Sequence, residues 1–468
     1  MMIKTLIKQY GIKLLILRFL ESRKTAAISK DYMEHFDEYF PSNEELELQR
    51  ESTFSYSPLI SIVVPTYETP VAFLKELIES ILSQTYSNYE LVLADGSTTD
   101  IVQKTASEYS DSRIRVISLK ENIGISGNTN EGFRNANGDY IALLDHDDLL
   151  TPNALYEMVS ALNQGETRPD VVYSNEDKLN MVTMKYADPA FKPDYNEYFL
   201  RHSNYICHFV IFNKKLLEQV KGLDSRFDGA QDHEFLLKCR AAGANFKHVN
   251  KILYHWRMHP ASTAVDPTSK LYAYINGERA IEKHLNEIGQ PGKVTKTPDL
   301  GIYRIDYTLE QTFSIIVFVR SEKQKKSFKK HQLDHPNLKI TYEVVDSLPT
   351  DYSCYNYDRV VILEPNAFPK SNNWILELLK ISQHDDVDIV TTKCITRNRI
   401  VSCGAAIDEN GNISPYFVGY YYKYHGVNHR ADDIVINVEA DPMYAAMINP
   451  HSSSNRIVTC TYVLTQIR

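Results

Sequence analysis

Tyr140-Ile-Ala-Leu-Leu-Asp-His-Asp-Asp148 decides the reading: an apolar run too short for a helix, broken off by three acids and a histidine. A short run without alternation suits a strand buried on both faces of a parallel sheet. In such sheets ligands bind beyond the carboxyl ends of the strands, where Asp145 to Asp148 stand. Working outward, Leu59–Val64 ends at Pro65, Glu90–Ala94 runs into Asp95-Gly96-Ser97, and Ile114–Leu119 reads as a third strand. Helical periods fill 71–84, 99–110 and 126–137. Short strands alternating with helices predict an α/β domain with a largely parallel sheet. Thr66-Tyr67-Glu68, Asp95-Gly96-Ser97 and Asp145 to Asp148 then meet along one edge.

The chain has 468 residues, enough for two large domains or roughly three at about 150 residues each. With 43% hydrophobic and 24% charged residues it is packed protein, which excludes a disordered tail or a fibrous repeat. A net charge of −9 argues against whole-surface attraction to nucleic acid, so an anionic ligand must be held locally. The cysteines (207, 239, 354, 394, 403 and 460) form no CxxC pair, so neither a zinc knuckle nor a disulfide framework is expected, and the compartment reads as reducing. No run of 18 apolar residues occurs and no small-residue cleavage site follows the N-terminal apolar stretch, which predicts a cytoplasmic protein. Residues 1–24 set Lys4, Lys8, Lys13, Arg18, Arg23 and Lys24 against Glu21, while Ile3, Leu6, Ile7, Tyr10, Leu14 and Leu17 share a helical face. That pattern fits a helix lying on an anionic membrane surface, at the inner face of the plasma membrane, or one docked on the body of the protein.

A repeat appears when 313–382 is laid beside 59–163. Phe313-Ser-Ile-Ile-Val317 echoes Ile60-Ser-Ile-Val-Val64, Ile340–Asp346 echoes the second strand, and Arg359-Val-Val-Ile-Leu-Glu-Pro-Asn366 echoes Tyr140 to Asp147. The later copy is shortened between its second and fourth strands and offers Glu364 and Asn366 where the first has paired aspartates. The expected division is a basic helix and lead-in over 1–57, a catalytic domain over 58–263, a helical linker over 264–312 and a degenerate second domain over 313–468.

Carboxylates at i and i+2 on an extended segment project to one side, so Asp145 and Asp147 can serve a divalent ion and a ribose or phosphate together. The same acids also suit a turn capping the next helix. Asp232, in Gly229-Ala-Gln-Asp-His-Glu234, sits near a helix start, where the dipole keeps a carboxylate ionised and ready to take a proton from a hydroxyl; it also suits a plain cap. Tyr254-His-Trp-Arg257 closes the expected strand Phe246–Tyr254 and sets a metal-capable His255, a flat Trp256 and an anion-binding Arg257 side by side. Gly124, Gly127 and Gly132 lack the lysine of a phosphate loop and follow the third strand rather than the first, so close helix–sheet packing is their expected role.

Taken in order, Ile62-Val-Val-Pro-Thr-Tyr-Glu68, Leu93-Ala-Asp-Gly-Ser-Thr98, Leu144-Asp-His-Asp-Asp148, Gly229-Ala-Gln-Asp232 and Leu253-Tyr-His-Trp-Arg257 resemble the family 2 glycosyltransferases. The likeness covers about residues 58–290. The lead-in Tyr56-Ser-Pro-Leu-Ile-Ser61 and the bridge Gly301-Ile-Tyr-Arg-Ile-Asp306 are similar to bacterial surface-glycan members with two such domains in tandem. The resemblance implies a GT-A fold, the Rossmann-like α/β fold of nucleotide-diphospho-sugar transferases, followed by a smaller degenerate GT-A-like domain. It implies inverting transfer from a nucleotide-diphosphate sugar, foremost a UDP-sugar, to a glycan or lipid-linked oligosaccharide, with Mn2+ or Mg2+. Pro65, Thr66, Tyr67, Glu68 and Asp95 match positions holding the nucleotide, Asp145 lies toward the ribose or sugar, and Asp147 and His255 match metal ligands. Asp232 matches the catalytic base, and Trp256 and Arg257 match the pocket wall. Ala94 and Glu68 depart from the relatives' usual Asp and Asn, which bears on nucleotide identity. The rival expectations are a noncatalytic sugar-nucleotide-binding scaffold and a metal-dependent phosphotransferase or pyrophosphorylase, the latter wanting a Gly/Lys phosphate loop.

Overall fold

The computed structural model describes residues 29–258 and 270–467, apart from 298, 310, 333, 350, 398, 408–412, 416–434, 439–440, 442–444 and 452–455. The basic stretch 1–24 lies outside the described residues. The chain divides into two compact units, one comprising Met1–Tyr195 with Asn204–His284 and the other Asn196–Ser203 with Leu285–Arg468.

In the first unit the strands are β1 (Ile60–Thr66), β2 (Tyr89–Asp95), β3 (Ile114–Ser118), β4 (Tyr140–Leu143), β5 (Leu149–Leu150), β6 (Val171–Asn180), β7 (Lys185–Ala190), β8 (Val210–Asn213) and β9 (Phe246–Met258). Their order is β3-β2-β1-β4-β8-β6-β9-β5, with β7 on β6. β1 runs parallel to β2 and β4 on its two sides, which makes its carboxyl end the crevice of the sheet. β8 turns antiparallel to both β4 and β6, while β9 is parallel to β6. β1 and β2 are buried almost throughout because both faces are covered. On one face α1 (Val71–Leu82) sets Leu74, Leu77, Ile78 and Ile81 against Ile60, Ile62 and Val64. On the other, α2 (Gly124–Asn135) closes tightly: a Cβ on Gly132 would strike Val63 and lie 3.4 Å from that of Ala94. β9 continues four residues past the expected end at Tyr254, so His255, Trp256 and Arg257 are strand residues whose side chains alternate between faces.

The second unit's sheet runs Leu338–Val344, Phe313–Val319, Arg359–Leu363, Ala445–Ile448, Ile389–Thr396, Ile457–Ile467, Ala367–Pro369. This is the order β2-β1-β4-β8-β6-β9-β5 of the first unit, with the same parallel and antiparallel senses throughout and β3 deleted. The linker region holds a helix, Leu271–Glu287, and a hairpin of Gly292–Lys296 with Tyr303–Tyr307. The break between units falls inside that helix. The helix Glu197–His202 groups with the second unit because its side chains are buried there: Arg201 bonds Glu197 (2.5 Å) and Gln290 (2.8 Å), His202 Nδ1 donates to the Tyr303 carbonyl (2.7 Å), and Arg456 reaches Glu197 (3.3 Å) and Asp386 (2.5 Å).

Candidate active site

The carboxyl ends of β1 and β2 are bonded to each other before any ligand arrives. Asp95 Oδ1 accepts from the Thr66 hydroxyl (3.1 Å) and from the Ser97 N–H (3.1 Å) and hydroxyl (2.6 Å). Glu68 accepts from the Thr98 hydroxyl (2.7 Å) and N–H (2.8 Å) and from the Thr99 hydroxyl (2.8 Å), bonds that hold its carboxyl below the usual range. These two acids therefore shape the loop after β2. An open cleft of about 620 Å³ lies beside it, lined by Pro65, Thr66, Tyr67, Asp145, Asp147 and Trp256 among others. Of the residues expected at the nucleotide, Glu68 and Asp95 are absent from that lining.

The acidic loop after β4 rests on a buried brace. Asp148 is wholly buried; it accepts from the Tyr254 hydroxyl and, at Oδ1, from the Arg257 N–H (2.7 Å). Burial, then the charges of Asp147 and Asp145, push its carboxyl well above the usual range. Arg257, expected on the pocket wall, is instead fully buried under the loop: Nε donates to the Asp147 carbonyl, Nη1 meets Glu76 at 2.6 Å, and the guanidinium lies 4.5 Å from the centre of the Phe73 ring. His255, on the same strand face, has Nδ1 2.5 Å from Asp177 Oδ1 and its ring against Tyr186, outside the ligand-capable group of Asp145, Asp148 and His208. Strand alternation is the reason: it turns His255 and Arg257 into the packing and leaves Trp256, on the opposite face, in the cleft.

A second pocket adjoins Asp145 and is also lined by Asp232, Gln231 and His208. Asp232 stands in the first turn of the helix Gln231–Ala241, with Oδ2 accepting from Asn204 Nδ2 (2.8 Å) and Oδ1 from the His233 N–H (2.9 Å). Asp145 Oδ2 lies 3.6 Å from His208 Nε2, and Glu176 Oε2 lies 3.4 Å from His208 Nδ1. Burial opposes charge on His208, but Glu176 and Asp145 outweigh it and hold the imidazole well above its ordinary pKa. Lys192 Nζ fixes the loop that presents it, donating to Glu176 (2.9 Å) and to the carbonyls of Ile206 (3.1 Å), Cys207 (2.7 Å) and His208.

Residues 61–221 match the model of the family described as Glycosyl transferase family 2. Over that stretch the chain is similar to this family. It is 40% identical over 275 residues to the uncharacterized protein y4gI of Sinorhizobium fredii, covering 56% of this chain and 30% of that one. To the O-antigen biosynthesis protein RfbC of Myxococcus xanthus it is 32% identical over 331 residues, covering 69% and 24%. The chain thus spans less than a third of the length of these curated relatives. A crystal structure of S. aureus TarS in complex with UDP is similar over 48% of this chain and 65% of that one, at 19% identity and a TM-score of 0.39.

The oxygen donors of the cleft suit a divalent cation. Hard ions prefer carboxylate oxygens completed by phosphate and water, and Asp145 and Asp147 stand in the cleft while Asp148 is already committed to Tyr254 and Arg257. Sequence reading passed over His208, Asn204, Glu176 and Lys192. The one signal for Glu176 was a polar run, Ser174-Asn-Glu-Asp-Lys178, following the apolar Val171-Val-Tyr173, the same pattern that marks the β4 loop. His208 carries no local signal; the antiparallel register of Leu143 with Val210 brings it to Asp145.

Proposed function

We propose that the protein is an inverting glycosyltransferase that moves a sugar from a nucleotide-diphosphate donor, foremost a UDP-sugar, to a hydroxyl of a growing surface glycan. The observation that carries this reading is that Asp145 forms a wall of both the larger cleft and the pocket holding Asp232. A donor with its nucleotide along Thr66, Tyr67 and Trp256 would carry its sugar past Asp145 toward Asp232. Asp147 and Asp145 would hold a manganese or magnesium ion, whose chemistry is to neutralise charge on a departing diphosphate. Asp232 takes the proton of the acceptor hydroxyl as its oxygen bonds to the anomeric carbon, while the bond from that carbon to the phosphate oxygen breaks and nucleoside diphosphate leaves. One displacement of this kind inverts the anomeric centre.

The name of the Myxococcus xanthus relative, an O-antigen biosynthesis protein, supports a surface polysaccharide or its lipid-linked precursor as acceptor. Among the described residues no helix is long and apolar enough to cross a membrane, and we place any membrane contact in residues 1–24. The domain limits 58–263 and 313–468 remain our division by function, with chemistry in the first alone. Release of nucleoside diphosphate from a panel of sugar nucleotides, with manganese and with a chelator, tests the reading. Metal-dependent release from at least one donor is expected, and donor binding without any turnover would make the protein a scaffold instead.

A further inference from the structure

Resting on that donor reading, we propose that the pocket beside Asp145 and Asp232 receives a methyl group of the transferred sugar, so that the donor is a methyl-bearing pyranose. The pocket measures about 80 Å³ and much of its wall is hydrocarbon: Leu143, Leu144, Val210, Leu223, Phe235 and Leu236. Four polar side chains of its lining already make contacts within the protein, the carboxylates keeping further lone pairs for substrate. Thr129 donates its hydroxyl to the Ile125 carbonyl (2.7 Å), Gln231 Oε1 accepts from the Gly229 N–H (2.6 Å), Asp232 is held by Asn204 (2.8 Å), and Asp145 faces His208 (3.6 Å). A sugar hydroxyl pressed against the hydrocarbon wall gives up its water partners and finds none in exchange. A methyl group there gains by leaving water.

The position of the pocket selects the donor sugar rather than any other part of the substrate. Asp145 is common to this pocket and to the cleft that takes the nucleotide, so a sugar attached to the diphosphate reaches the pocket first. With its anomeric carbon between Asp145 and Asp232, a ring substituent lies within a few bonds of the wall. Two sources supply a methyl at such a distance: the acetyl group of a 2-acetamido sugar and the terminal carbon of a 6-deoxy sugar.

The test uses the whole chain and pairs of donors differing in that group: UDP-N-acetylglucosamine against UDP-glucose, UDP-N-acetylgalactosamine against UDP-galactose, and GDP-L-fucose against GDP-L-galactose. Nucleoside diphosphate release is read as kcat/KM. In the series that the enzyme uses, the methyl-bearing donor should exceed its hydroxylated partner by at least about tenfold, the usual value of a filled apolar subsite. The arm that responds identifies acetamido or deoxy. Val210→Thr keeps the side-chain volume and sets a hydroxyl in the wall, and it should shrink that ratio severalfold. Hydroxylated donors used equally or better, or a ratio unmoved in Val210→Thr, would overturn the methyl pocket while leaving the transferase reading standing. No release from any donor would overturn the transferase reading itself, and the pocket's occupant with it.

Discussion

Asp232 differs from the neighbouring acids in how it is held. Asp148 is sealed under the loop, whereas Asp232 is fixed by one amide and one backbone N–H and lines a pocket. Replacing it with asparagine keeps the shape and one of the two accepted hydrogen bonds but removes the proton acceptor that we propose. Asp232→Asn should therefore leave donor affinity within about twofold and cut transfer by at least about a hundredfold, as measured by calorimetry and by product formation; transfer at the parent rate would remove Asp232 from the role. Tyr254→Phe probes the brace instead, since Asp148 would keep its burial and lose a donor. An orphaned buried acceptor costs about 1–3 kcal/mol, so the urea midpoint should fall, and an unchanged midpoint would mean that the hydroxyl is dispensable. At this scale the sequence made Asp145, Asp147 and Asp232 visible because each follows a strand or opens a helix. It misread His255 and Arg257, because whether a strand stops at Tyr254 or continues to Met258 decides which faces they take, and local composition does not record where a strand ends.

Elements were legible where a single period governs them. Continuous apolar runs became β1, β2 and β4, and the glycines after the third strand marked the helix that presses on the sheet. Gly132 is where that contact is tightest, so Gly132→Ala forces α2 away from Val63. Overpacking of this kind costs about 1–3 kcal/mol, which equals or outweighs the roughly 1 kcal/mol better helix propensity of alanine. The thermal midpoint should drop, and a rise would show that the sheet yields. Elements set by tertiary pairing were not legible: the two-residue β5 exists only because Leu149 and Leu150 pair with His255 and Tyr254, and the helix Glu197–His202 takes its place from Tyr303, Gln290 and Arg456, all distant in sequence.

Across the whole molecule, the tandem repeat seen in three strand segments extends to every shared strand sense, while the second copy is shortened. In the first unit the connection from β8 to β9 spans 214–245 and carries Asp232; between Ala445–Ile448 and Ile457–Ile467 it is only 449–456. What the second unit keeps is a buried polar interior that responds to acid. Burial pushes His202 down from its ordinary 6.5 to about 4 and His384 down to about 3. Both are thus neutral when folded and take up protons on unfolding below pH 6.5. Their stabilisation is complete above the unfolded pKa and is lost as pH falls toward the folded one, between about 6.5 and 4 for His202. At about 1.4 kcal/mol per unit, that interval is worth about 3 kcal/mol. Thermal scans from pH 7.5 to 4 should show a transition that shifts steeply downward with acid. In His202→Gln, where the amide can still donate to the Tyr303 carbonyl, that slope should flatten by the contribution of one proton. Equal slopes in the two proteins would mean that His202 is charged, or wet, in the folded second unit.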